Sequence, residues 1–151
     1  MPLQQRIQQE LKAAMLAKEV DRLATLRLLK SALGYLEIER KAEQLSDADV
    51  ISVVQKEIKK RRDAIEQYKA GGRPELAEKE GREMAVLESF LPQPLSPEEL
   101  EQLVRATIQE LGATTKKEMG PVIKAVQAKA AGRADGKTVS AVVGKMLGGG
   151  Q

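Results

Sequence analysis

Apolar residues recur along this chain with helical spacing, and no alternating apolar/polar run is long enough for a strand. Leu3, Ile7, Leu11 and Ala14 fall at i, i+4, i+8 and i+11, and Pro2 suits a first helical turn. A second helix is expected from near Asp21 to about Lys41, with Leu23, Leu26, Leu29, Leu33 and Leu36 on one side. Ser46 followed by Asp49 is a weaker relative of the capping box and opens a third. That helix carries Ile51, Val54, Ile58, Ile65 and Tyr68 until Gly71-Gly72 stops it. Pro74 opens a fourth, with Leu76, Met84, Leu87 and Leu91.

Pro92, Pro94 and Pro97 then fall close together, each disfavouring helix in the residue before it, so a boundary is expected there. Ser96-Pro97-Glu98-Glu99 combines an N-cap, a first-turn proline and a capping-box glutamate, and starts a fifth helix with Leu100, Leu103, Val104, Ile108 and Leu111 inward. Gly112 ends it. A sixth is expected from about Gly120 after a tight turn, because Pro121 cannot sit deep in a helix, with Thr115 and Glu118 capping it. Gly132 closes the sixth, Asp135 caps a seventh, and Gly148-Gly149-Gly150 is expected to fray. The fold class is therefore all-α: an N-terminal bundle of about four helices (1–91), a Pro-rich hinge (92–97) and a small three-helix C-terminal domain (98–151).

Composition acts mainly by exclusion. Cys and His are both absent, which removes disulfides, thiolate nucleophiles, the usual general base and the commonest metal ligands. Three aromatics, Tyr35, Tyr68 and Phe90, are too few for a base-stacking platform and leave an aliphatic core. No apolar run approaches a membrane span and no signal-peptide core follows Met1, so a cytoplasmic protein without membrane contact is expected, and a monomer. No cofactor or metal is implied.

Charge changes the picture. From residue 112 onward the cations are Lys116, Lys117, Lys124, Lys129, Arg133, Lys137 and Lys145, against Glu118 and Asp135. That segment carries net +5 while the whole chain carries +3, so the rest sums to −2. Excess positive charge gathered on one small helical unit suggests an anionic partner. At 100° per residue, Met119, Val122, Val126 and Ala130 face inward on the sixth helix, with Lys117 and Lys124 about opposite. On the seventh, Val139, Val142, Val143 and Met146 form the core stripe. Lys137, Ala141, Gly144 and Lys145 lie on the far face, where small residues beside cations would let a phosphate backbone approach. The expected contact set is Lys117, Lys124, Lys129, Arg133, Lys137, Gly144 and Lys145. The run at residues 56–62 (KEIKKRR) reads as a solvated face with helical ion pairs, Arg61 and Arg62 flanking the apolar stripe.

The Met119-Gly120 start and the Gly132-Arg133-Ala134-Asp135-Gly136-Lys137 turn leading into Val139, Val142, Val143 and Leu147 resemble the GatB/YqeY domain. Arg22-Leu23 through Arg27-Leu28-Leu29-Lys30-Ser31-Ala32-Leu33, then Glu88-Ser89-Phe90-Leu91-Pro92, resemble the free-standing YqeY-like proteins over essentially the whole chain. The C-terminal unit is similar to the tail of the B subunit of the tRNA-dependent amidotransferase, where the tail holds tRNA. The resemblance implies an all-helical fold and tRNA as partner, with amidotransferase or aminoacyl-tRNA synthetase proteins as further candidates.

No catalytic residue is identified. Ser31, Ser46, Ser52, Ser89, Ser96 and Ser140 are scattered, and Lys137 with Ser140 has no neighbouring base. Three functions remain: a non-catalytic tRNA-binding module assisting amidation or a related tRNA step, a helical protein–protein adaptor, or an accessory component of a carbon–nitrogen ligase with glutamine as amido-N-donor.

Overall fold

A computed structural model describes residues 1–148. Among them are seven α-helices and no strand: α1 (Leu3–Leu16), α2 (Val20–Arg40), α3 (Asp47–Ala70), α4 (Pro74–Glu88), α5 (Pro97–Leu111), α6 (Met119–Ala130) and α7 (Gly136–Gly148). A 3₁₀ turn, Lys116–Glu118, precedes α6. The protein is all-α. Two compact units divide between Leu91 and Pro92.

In the first unit α1 packs on α2 and α3, α2 also meets α4, and α3 and α4 pair closely. Leu26, Leu29 and Leu33 of α2, Val50, Val54 and Ile58 of α3, Leu87 and Phe90 fill the core with Ile7 and Ala14. Each fully buried aliphatic side chain contributes ~1.5–3 kcal/mol of transfer free energy. Local polar chemistry sets the helix ends. Ser46 Oγ accepts from Asp49 N at 3.2 Å at the start of α3, and Asp47 Oδ1 accepts from Leu3 N at 2.9 Å, capping α1 from another element. Gln4 is buried because its amide is satisfied on both sides: Oε1 accepts from Leu45 N (2.7 Å) and Nε2 donates to Glu37 Oε1 (2.8 Å).

Arg61 departs from the flanking position expected of it. It is buried within the α3 stripe, where Nη1 donates to Glu57 O at 3.0 Å and lies 3.7 Å from Glu57 Oε1. Arg6 links α1 to the end of α4. Its guanidinium lies 5.1 Å from the Phe90 ring centroid and donates to Ser89 O at 3.0 Å, while Glu10 pairs with both Arg6 (3.6 Å) and Arg22 (3.1 Å). Arg22 and the Ser89-Phe90 pair, distant in sequence, thus belong to one network.

The second unit buries Leu100 and Val104 of α5, Val122 and Val126 of α6, and Val139, Val143 and Leu147 of α7. The Ser96–Glu99 capping box forms in full, with both hydrogen bonds at 3.1 Å. Gly112 supplies the left-handed residue (φ 65°) that ends α5. Helix α7 extends through Gly148, so this glycine is helical rather than frayed, while the expectation for Gly149 and Gly150 lies outside the described residues.

Candidate nucleic-acid interface

Helix α6 buries Val122, Val126 and Ala130 and leaves Lys124 exposed on the opposite side. Its start is prepared by the 3₁₀ turn. Glu118 reaches back to accept from Thr114 N at 3.1 Å, rather than pairing with Thr115 as a capping box would. Pro121 is the third residue of α6, where its missing N–H removes no helical bond. The helix ends on two consecutive left-handed residues, Ala131 (φ 49°) and Gly132 (φ 87°), and Asp135 Oδ1 then accepts from Thr138 N at 2.7 Å to start α7.

This framework places the seven expected contact residues in three different situations. Lys117, Lys124, Lys137 and Lys145 are exposed and have no ion-pair partner among the described residues. Lys129 is exposed but already engaged: its ammonium pairs with Glu110 of α5 and lies 3.3 Å from Thr107 Oγ1. Arg133 ties the α6–α7 turn to the Pro-rich segment. Its Nε donates to Gln93 O at 2.8 Å, its own carbonyl accepts from Leu95 N at 2.8 Å, and Nη2 lies 3.9 Å from Glu99 Oε2. These two cations already hold α5 and residues 93–95 in place.

Gly144 has a packing role not visible in the sequence. A Cβ there would lie 3.4 Å from Met119 Cε, so this side of α7 faces the start of α6. One turn on, a Cβ at Gly148 would come 2.5 Å from Lys116 Cε and 3.1 Å from its Nζ. The Lys116 side chain therefore lies across Gly148, at the α7 C-terminus, where the helix dipole favours a cation. Lys116 was counted in the charge excess yet absent from the expected contact set. Glycine spacing in α7, two small residues at i and i+4 on the cationic side, is the sequence signal that could have found it.

Among the described residues there is no group of three or more His, Cys, Asp or Glu that could hold a metal ion, and no helix is long and apolar enough to cross a membrane. The Glu99 carboxyl is held below the usual carboxylate range, chiefly by the Ser96 backbone N–H, then by the Ser96 side chain and Arg133. It is a capping group.

An all-helical chain with this C-terminal unit matches the family model of YqeY-like proteins over residues 4–147, and the chain belongs to that family. Among curated relatives, an uncharacterized protein of Schizosaccharomyces pombe is 37% identical over 60% of this chain and 73% of its own length. "Altered inheritance of mitochondria protein 41, mitochondrial" of Kluyveromyces lactis is 33% identical over 88% of this chain and 69% of its own. The protein of that name from Pyrenophora tritici-repentis is 28% identical over 95% and 80%, respectively. The relatives that carry this name are mitochondrial proteins, which overturns the cytoplasmic expectation. The physical reason is simple. A Cys-free helical chain with an aliphatic core suits any aqueous compartment, and composition does not choose among them.

Proposed function

We propose that this protein is a non-catalytic RNA-binding module whose C-terminal unit holds tRNA by its phosphate backbone, assisting tRNA-dependent amidation or a related tRNA step. The carrying observation is the division among the C-terminal cations. Lys116, Lys117, Lys124, Lys137 and Lys145 stand exposed without acidic partners, whereas Lys129 and Arg133 are held by the fold. Exposed lysines without acidic partners are free to displace counterions from a polyanion, and that release is the driving term of phosphate binding. Lys137 sits in the first turn of α7, where the dipole gives a cation no stabilisation, so helix stability does not explain it.

The contacts are of the positioning kind. Lysine ammoniums are point charges that neutralise phosphates without reading bases, and the scarcity of exposed aromatics in this unit is consistent with backbone rather than base recognition. The chain would act by presenting or retaining tRNA while other proteins carry out the chemistry.

A native pull-down of the full chain, with and without RNase and assayed for RNA and protein together, tests this reading. Recovery of tRNA that RNase removes supports it. A protein complex recovered unchanged after RNase, with no RNA in the untreated sample, contradicts it.

A further inference from the structure

Helix α6 directs the side chain of Gln127 toward the first turn of α7. A Cβ at Gly136 would lie 2.9 Å from Gln127 Nε2, so the amide rests against bare backbone in space that a side chain would fill. Both residues are exposed, and the amide makes no hydrogen bond among the described residues. Gln4 is the contrast, since its amide is satisfied on both sides and ties α1 to its neighbours. The fold uses neither the donor nor the acceptor of Gln127, and both stay open to a ligand.

The surroundings select the ligand group. Lys124 precedes Gln127 by one turn of α6, and Lys137 follows Gly136 in α7. Both are exposed, with no ion-pair partner among the described residues. On the other side of Gly136, the Asp135 carboxylate is kept at the start of α7, where Oδ1 accepts from Thr138 N at 2.7 Å. A phosphate is drawn to the lysines but repelled from the position beside Asp135. A neutral group that both donates and accepts suits the amide there. On an RNA backbone that group is the ribose 2′-hydroxyl, carried by every nucleotide close to its phosphate.

We propose that Gln127, seated where Gly136 lacks a side chain, hydrogen-bonds a ribose 2′-hydroxyl and gives the C-terminal unit a preference for RNA over DNA. The assignment rests on the α6–α7 lysines holding phosphates, and it adds what they lack. Lysine ammoniums neutralise the phosphates of RNA and DNA alike. The amide is uncharged, so it contributes to affinity and to sugar discrimination without changing the salt dependence.

The probes are an RNA hairpin and the same sequence with every 2′-hydroxyl replaced by fluorine, which keeps charge and A-form shape but cannot donate. The full chain should bind the hydroxyl form about two- to tenfold more tightly, the range of one neutral hydrogen bond. Gln127→Ala should lower RNA affinity by that factor, leave affinity for the fluorinated hairpin unchanged and keep the salt slope of both. Gly136→Ala displaces only the end of a flexible side chain and should reproduce the loss without lowering Tm. Discrimination kept in full by Gln127→Ala overturns the proposal while leaving the lysine face standing. So does an equal loss on both hairpins, which would mean a contact to phosphate or base. A wild-type chain that binds neither hairpin overturns this assignment together with the reading beneath it.

Discussion

Arg133 Nε donates to the main-chain carbonyl of Gln93 at 2.8 Å, binding the α6–α7 turn to the segment that leads into α5. With Leu95 N donating to Arg133 O, also at 2.8 Å, residues 93–95 are held on the C-terminal unit at two points. Arg133→Ala should therefore lower stability by about 1 kcal/mol, the modest value reflecting a partly exposed donor. Limited proteolysis should become faster within residues 92–95. An unchanged digestion rate in a folded variant would count against this tie.

The end of α6 offers a gain. Ala131 is left-handed at φ 49°, a conformation that costs a Cβ-bearing residue about 1–2 kcal/mol. Glycine there avoids that cost but loses about 0.5–1 kcal/mol of chain entropy. Ala131→Gly should thus raise stability by up to ~1 kcal/mol, measured by denaturant midpoint at constant slope. Gly132→Ala, at φ 87°, should do the reverse.

Two carboxyls should respond to pH in opposite senses. Glu99 is held below the ordinary range by Ser96, so its contribution is present above the unfolded-state pKa and lost as pH falls through the folded value. Glu80 is pushed up, first by burial and then by the Glu83 charge and hydrogen bond, with Arg61 and Lys79 acting against the shift. Its ionised form opposes folding at neutral pH, and the opposition disappears as pH falls below the ordinary carboxylate range. Glu80→Gln should raise Tm at pH 7 and lose that advantage in acid. Glu99→Gln should lower Tm at pH 7, with the difference shrinking in acid. A Glu80→Gln gain that persists unchanged below pH 4 would contradict the cause assigned here.

Gly144 distinguishes packing from ligand contact. An added methyl at 3.4 Å from Met119 Cε is ordinary contact, and alanine recovers up to ~1 kcal/mol of helix propensity. Gly144→Ala should be neutral or stabilising with unchanged RNA affinity. Gly144→Leu should displace Met119 and lower Tm. The simpler idea of an open contact face predicts the opposite for leucine, higher stability and weaker RNA binding.

The helices were legible because punctuation and periodicity agree. Ser46, Pro74, Ser96-Pro97, Gly112 and Asp135 mark ends that the structure also uses, through local bonds within a few residues. Partnerships over long separations were not legible. Lys129 meets Glu110 nineteen residues away, and Arg133 meets Gln93 forty away, so a charge count records both cations without their engagements. Gln4 is buried for a related reason, its amide finding main-chain and side-chain partners that hydropathy does not register, and Arg61 is buried with Nη1 on the Glu57 carbonyl. Gly144 looks like space for a ligand, and Gly148 like a frayed end, until Met119 and Lys116 are seen beside them.

The proposed binding face is tested most directly by the salt dependence of tRNA affinity. On a duplex stem, log K against log salt falls by about 0.9 per phosphate neutralised. Lys137→Ala and Lys145→Ala should each weaken binding and flatten the slope by roughly that amount, with helix content unchanged. Lys129→Ala, which removes the surface pair with Glu110, should lower Tm slightly and leave the slope alone. If Lys137→Ala and Lys145→Ala both keep the wild-type affinity and slope, the α6–α7 surface does not hold tRNA.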